Sequence, residues 1–208
     1  LAELGLVDLE ISEFSVLTGK LPANLPAGHH AVPAVGWVAH LDTVDVCLNA
    51  DIHPHVVANY QGGDICLNEE KQIFLKVSEH PEIEKYIGQD IVVSDGTSVL
   101  GADDKAAIAN IMVALETLAN DKTIYHGDIY VCFVPDEEIG LLGAKAIDFE
   151  KFPVDFAYTI DCCEQGEVVY ETFNAGSAEV YIKGITAHPM SAKGVLVNPT
   201  LVATDLVN

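Results

Sequence analysis

Two adjacent glutamates, Glu137 and Glu138, stand in the motif PDEEIG at 135–140, directly after an apolar run at 129–134. Such a run reads as a buried strand, and a strand that ends in paired carboxylates delivers them to a rigid rim. Adjacent carboxylates repel one another unless a cation or a shared proton relieves them. One of the pair can then ligate a metal while its neighbour accepts a proton from activated water. A solvated acidic loop would carry the same two residues. Three further acid-bearing segments end or follow apolar runs: HLD at 40–42, GADDK at 101–105, and Asp161 after FAYTI. Jointly they offer one imidazole and several carboxylates, the donor set of a dinuclear zinc hydrolase.

Each segment alone also has an ordinary reading. His40 and Asp42 are two apart, so in extended chain they face the same side. That spacing suits a metal-bound imidazole steadied by a carboxylate, and equally a hydrogen-bonded histidine with no metal. Asp103 precedes a helical pattern, where the helix dipole favours an anion, but it or Asp104 also reads as a plain N-cap. Lys105 fits a helix surface or a partner for a nearby carboxylate. His188, in AHPMSAKG, reads by itself as a surface loop residue.

The elements that must position these groups follow from periodicity. Residues 34–39, 129–134 and 156–160 are continuous apolar runs, expected as buried strands. Ala106, Ile108, Ala109, Met112, Leu115 and Leu118 recur at helical spacing, predicting a helix over 105–120. A further helix is expected over 143–149, a single strand over 7–17 leading into a proline-rich turn, and a hairpin around Asp95, Gly96 and Thr97. Residues 47–81 read as a polar excursion with short strands. The sum is an α/β fold, a mixed and mostly parallel sheet flanked by helices, with its site beyond the carboxyl ends of the strands. After Asp161 the texture changes to half-exposed strands at 168–173 and 178–183. Asn198 then caps a helix with Pro199 at its first position, the beginning of a smaller α+β unit.

Half of the 208 residues are apolar, enough for a substantial core, and the formal net charge is −22. That charge argues against nucleic acid or an anionic membrane as partner, since both require clustered cations. Five cysteines at irregular positions, with Cys162 and Cys163 adjacent, suggest reduced thiols and a cytoplasmic setting. No stretch has the length of a membrane span or the pattern of a signal peptide.

The segments AHLDT, VLGADDKAAIA, VPDEEIG, AYTIDCCEQGE, FNAGSAEVYIKG and HPMSAKGVLVN resemble those of the peptidase T family. These are tripeptide aminopeptidases of the aminoacylase/carboxypeptidase superfamily of dizinc metallopeptidases. The resemblance implies a zinc-peptidase catalytic domain over 1–172 and the beginning of a lid and dimerisation domain over 173–208. It implies that His40 and Asp161 hold one zinc, that Asp103 bridges to a second held by Glu138, and that the Asp103–Asp104 peptide bond is cis. Glu137 would be the general base, Asp42 would orient His40, and His188 would reach the substrate from the lid. Co²⁺ or Mn²⁺ are possible substitutes for the two Zn²⁺.

Short peptides would be the substrates, with a homodimer through the lid a possible assembly. A dipeptidase or an N-acyl-amino-acid deacylase of the same superfamily is an alternative, as is a non-catalytic metal-binding fragment. The family places a further histidine ligand near the C-terminus of a longer chain, whereas here His188 is the only histidine after Asp161. The expectation is therefore the N-terminal half of a longer enzyme, poorly active alone. Cys162 and Cys163 stand where the family usually has glycines, and Met190 where it usually has a glycine.

Overall fold

A computed structural model describes residues 1–30, 32–46, 50–162, 164, 166–171 and 174–207. The chain enters through β1 (Val7–Ile11) and β2 (Leu17–Leu21), which pair antiparallel. The stretch 7–17 is thus a hairpin arm and a turn rather than one strand. Ser12 makes the difference: its Oγ accepts from the N–H groups of Phe14 at 3.3 Å and Val16 at 3.2 Å. Its backbone also closes the loop with Ser15 and Val16. A serine hydroxyl offers the backbone a local alternative to the sheet ladder.

β3 (Val35–His40) follows the proline-rich segment. The excursion after it holds β4 (His55–Val57), β5 (Ile65–Asn68), β6 (Ile73–Leu75) and β7 (Ile91–Val93), as the two-stranded sheets β4–β7 and β5–β6. Because β7 pairs with β4, the hairpin expected around Gly96 does not form. Asp95 and Ser94 turn the chain locally: Asp95 Oδ1 accepts from the Thr97 N–H at 2.9 Å and the Thr97 hydroxyl at 2.6 Å, and Ser94 Oγ accepts the Gly96 N–H at 3.2 Å.

Next come α1 (Ala102–Asn120), β8 (Ile129–Val134), α2 (Leu142–Lys145) and β9 (Phe156–Thr159). The main sheet runs β1-β2-β8-β3-β9, antiparallel across β1–β2 and β2–β8 and parallel across β8–β3 and β3–β9. With the covering helices it is the mixed α/β architecture expected. β8 is apolar throughout because both its faces are covered. Val131 and Phe133 meet Ala107, Ile111 and Leu115 of α1. Cys132 and Val134, pointing the other way, meet Val16, Val38 and Phe152.

β9 departs from expectation: among the described strands it pairs with β3 alone, and all its positions are exposed. It is an edge strand, whose apolar composition does not distinguish it from a buried one. α2 is shorter than the 143–149 reading. Its Gly143 lies against Pro135 so closely that an added Cβ would collide with the Pro135 carbonyl oxygen. Gly143→Ala should therefore destabilise the chain by about 1–3 kcal/mol, read as a lower denaturation midpoint, because the clash is with backbone and not a yielding side chain.

The chain divides into two units, Leu1–Gln165 and Gly166–Asn208. In the second, α3 (Pro199–Val207) starts as expected, with Asn198 Oδ1 accepting from the Thr200 N–H at 3.0 Å. The strands expected at 168–173 and 178–183 do not form among the described residues. An isolated Ile185–Val197 bridge is the pairing described in this unit, and unpaired segments have no ladder to order them. Thr172 and Phe173, at the expected domain boundary, lie outside the described residues, as do Cys47 and Cys163. Cys66, Cys132 and Cys162 are free thiols. No helix among the described residues is long and apolar enough to cross a membrane.

Candidate metal centre

β3 and β8 are parallel neighbours in the register His40 to Val134, so both end at one rim. The rim therefore brings the chain after His40 beside the PDEE turn that follows Val134. His40 is 3% exposed, and its Nε2 lies 2.8 Å from Asp103 Oδ1. Its Nδ1 lies 3.3 Å from Asp42 Oδ1 but is not aligned for a hydrogen bond, leaving that buried nitrogen without a hydrogen-bond partner among the described residues.

Asp42 is occupied elsewhere. Its two carboxylate oxygens each accept a backbone N–H at 3.1 Å, Oδ1 from Glu137 and Oδ2 from Glu138. It therefore buckles the glutamate turn to the end of β3. Burial alone would raise the Asp42 carboxyl, but these two donors outweigh it and hold it below the usual carboxylate range.

The aspartate pair opens α1 without capping it. Gly101 stands at the N-cap and no side chain caps the helix. Asp103 (φ −80°, ψ 109°) and Asp104 (φ −117°, ψ 27°) are non-helical, and the bond between them is cis. Their carboxylates turn to His40 instead of the helix N–H groups. Asp103 meets the ring, and Asp104 Oδ2 accepts the His40 backbone N–H at 3.1 Å. The capping role that sequence alone allows for either residue is thus not the one observed.

Two groups of donor atoms result, each lying within 4.8 Å of one another: His40 with Asp104 and Asp161, and His40 with Glu137 and Glu138. Electrostatics mark the crowding. Burial raises the Glu137 carboxyl, and the charges of Asp161, Glu138 and Asp42 add to it, opposed only in part by His40. Burial likewise lifts Asp104 to about 6, despite the His40 N–H it accepts. For His40 burial opposes protonation, yet the Asp103 contact and the charges of Asp104 and Asp161 outweigh it and raise the imidazole.

Carboxylates gathered around a single buried imidazole, with Nε2 turned to Asp103, are a donor set that a divalent cation fits. Oxygen and nitrogen donors suit zinc and its neighbours in the first transition row. Beside it, Asp103, Asp104, Ala107, Asn110, Ile160 and Asp161 line a cavity of ≈ 330 Å³.

Of the residues singled out from the sequence, His40, Asp42, Asp103, Glu137, Glu138 and Asp161 converge on this rim. His188 belongs to the other unit, where it precedes a short 3-10 turn and its Nδ1 accepts the Met190 N–H at 3.2 Å. Asp104 was legible as an alternative N-cap beside Asp103 and not as a residue of the centre. The doublet was the available signal, and nothing in it told which carboxylate would be buried.

Residues 100–204, just over half of the chain, match peptidase family M20/M25/M40. The chain belongs to this peptidase family. The M20 match includes Asp103, Asp104, Glu137, Glu138, Asp161 and His188, with His40 and Asp42 preceding it. Among curated proteins the chain is 57% identical over 208 residues to a Peptidase T-like protein of Yersinia pestis, covering all of this chain and 49% of that protein. It is 45% identical over 208 residues to Peptidase T of Caldanaerobacter subterraneus, covering 50% of it. The chain thus spans about half the length of the curated relatives it matches.

Solved structures agree on the M20 peptidase fold. A tripeptidase from Staphylococcus aureus superposes with TM-score 0.55 and 26% identity, over 78% of this chain and 35% of that one. The aminopeptidase PepT from Bacillus cereus gives TM-score 0.59 and 24% identity, over 99% of this chain and 47% of that one. The resemblance drawn from the motifs is met along the whole chain.

Proposed function

We propose that this chain carries the metal-binding and catalytic residues of an aminopeptidase that releases the N-terminal residue from tripeptides. The observation that carries it is the convergence of His40, Asp103, Glu137, Glu138 and Asp161 on one rim of an M20 peptidase fold. Similarity to proteins named Peptidase T supports the substrate class.

In this reading His40 and Asp161 would hold one cation and Glu138 a second, with Asp103 available to both. Zinc is the first choice, with Co²⁺ or Mn²⁺ as substitutes. When bound, the cations supply Lewis-acid polarisation of the scissile carbonyl and make water more acidic. Glu137 takes the proton of the attacking water and returns it to the leaving amine. Its raised pKa suits a group that must both accept and release that proton. Asp42 keeps Glu137 and Glu138 in place through their N–H groups and lies behind His40. His188 would face the developing oxyanion from the lid, which we assign to 173–208, with the catalytic domain over 1–172 and homodimerisation through the lid. The setting proposed is cytoplasmic.

Metal analysis after equilibrium dialysis tests the centre. The chain should retain Zn²⁺, and His40→Ala should lose it. Wild-type chain that retains none would sink the metal-centre reading. In the protein extended to the length of its relatives, a panel of tripeptides, dipeptides and N-acyl amino acids tests the substrate. Preference for either of the last two would replace the tripeptide reading with a dipeptidase or deacylase.

A further inference from the structure

His40 supplies the imidazole of the centre, and its main chain needs holding as much as its ring. On the β8 side, β3 stays paired to its end, where the Leu41 N–H donates to Val134 O at 2.8 Å. On the β9 side the ladder stops sooner. Its last rung is the Ile160 N–H to Val38 O at 3.0 Å, and β9 itself ends at Thr159. Residues two apart in a strand present their backbone groups to the same side, so the His40 N–H faces the space just beyond that last rung.

A buried N–H without an acceptor is costly, and here Asp104 Oδ2 takes it at 3.1 Å. Asp104 is 4% exposed and sits at the start of α1. The same helix buries Ala107, Ile111 and Leu115 against Ala39 of β3 and Val131 and Phe133 of β8. The carboxylate thus ties the free end of β3 to a helix already locked into the core.

We propose that Asp104 is a positioning residue that fixes His40 for metal binding through its main-chain N–H, acting by its acceptor oxygen and not by its charge. This rests on the metal-centre reading above. An amide keeps the acceptor and removes the charge, whereas an apolar side chain removes both. Asp104→Asn should therefore keep the exchange rate of the His40 amide within about threefold of wild type and bind Zn²⁺ clearly more tightly than variants lacking the acceptor. Asp104→Leu, close in size, and Asp104→Ala should weaken Zn²⁺ binding by about 10–100-fold and speed His40 amide exchange by at least about 10-fold. Amides in the β2–β8 ladder should stay protected.

Calorimetric Zn²⁺ titration and amide exchange on the chain read these outcomes. If neither apolar variant folds, Asp104→Ser takes their arm, its hydroxyl being too short to reach the His40 N–H. Wild-type affinity in the variants lacking the acceptor would overturn the proposal. So would an Asn variant that loses Zn²⁺ as fully as they do, since the charge would then be what matters. Wild-type chain that binds no Zn²⁺ would instead remove the metal-centre reading itself.

Discussion

If Glu137 is the base of the proposed aminopeptidase, Glu137→Gln should lower the kcat for tripeptide cleavage by about 10²–10⁴-fold while the bound metal stays at the wild-type level. The amide is nearly the same size but cannot accept a proton at neutral pH. The turn should survive the change, because what anchors Glu137 is its backbone N–H on Asp42 Oδ1 at 3.1 Å, and the substitution leaves that donor in place. The half-buried side chain shares its donor group with His40 and Glu138, so the substituted carboxylate lies inside the candidate centre. Steady-state kinetics on the protein at its relatives' length, with metal analysis of the same sample, give the readout. Wild-type kcat would remove Glu137 as the base, and loss of metal with activity would reassign it as a ligand.

Asp42→Ala acts on both glutamates at once. Two backbone N–H groups lose their acceptors, and water can reach the site only in part, since Asp42 is 22% exposed. We expect a loss of stability of about 1–3 kcal/mol and a fall in Zn²⁺ affinity of about 10–100-fold. Asp42→Asn should rescue little, although its size is right. Both native oxygens accept from N–H donors, and the amide would turn its own NH₂ toward one of them. Denaturant titration and calorimetry compare the variants. Wild-type affinity in the alanine variant would show that the glutamate turn holds itself, and full rescue by asparagine would show that one acceptor suffices.

The local pattern carried much of this. The run at 129–134 is apolar without alternation because β8 is covered on both faces, and composition alone records that condition. The helical period announced α1, but not the face it buries: Ala106 and Ala109 of the periodic set are exposed, whereas Ala107 and Ile111, outside that set, are buried beside Leu115. Where sequence and structure part, the deciding partner is distant or the competitor is local. Residues 156–160 have a core strand's composition, but β9 lies at the sheet edge, which only the strand order reveals. Residues 7–17 alternate acceptably for one strand, yet the Ser12 hydroxyl turns the chain.

The candidate centre shows the same division. Which side chains can bind a cation or move a proton is a property of residue type, and placement after apolar runs brings them to strand ends. His40, Asp103, Glu137, Glu138 and Asp161 were therefore nameable from their segments. Which carboxylates hold main-chain N–H groups was not. Asp42 serves the Glu137 and Glu138 backbone, and Asp104 is buried on the His40 N–H, because 95 residues separate Asp42 from Glu137 and 64 separate His40 from Asp104. Hydrogen bonds that cross such distances depend on strand register and on where a ladder stops, and only the folded sheet specifies either.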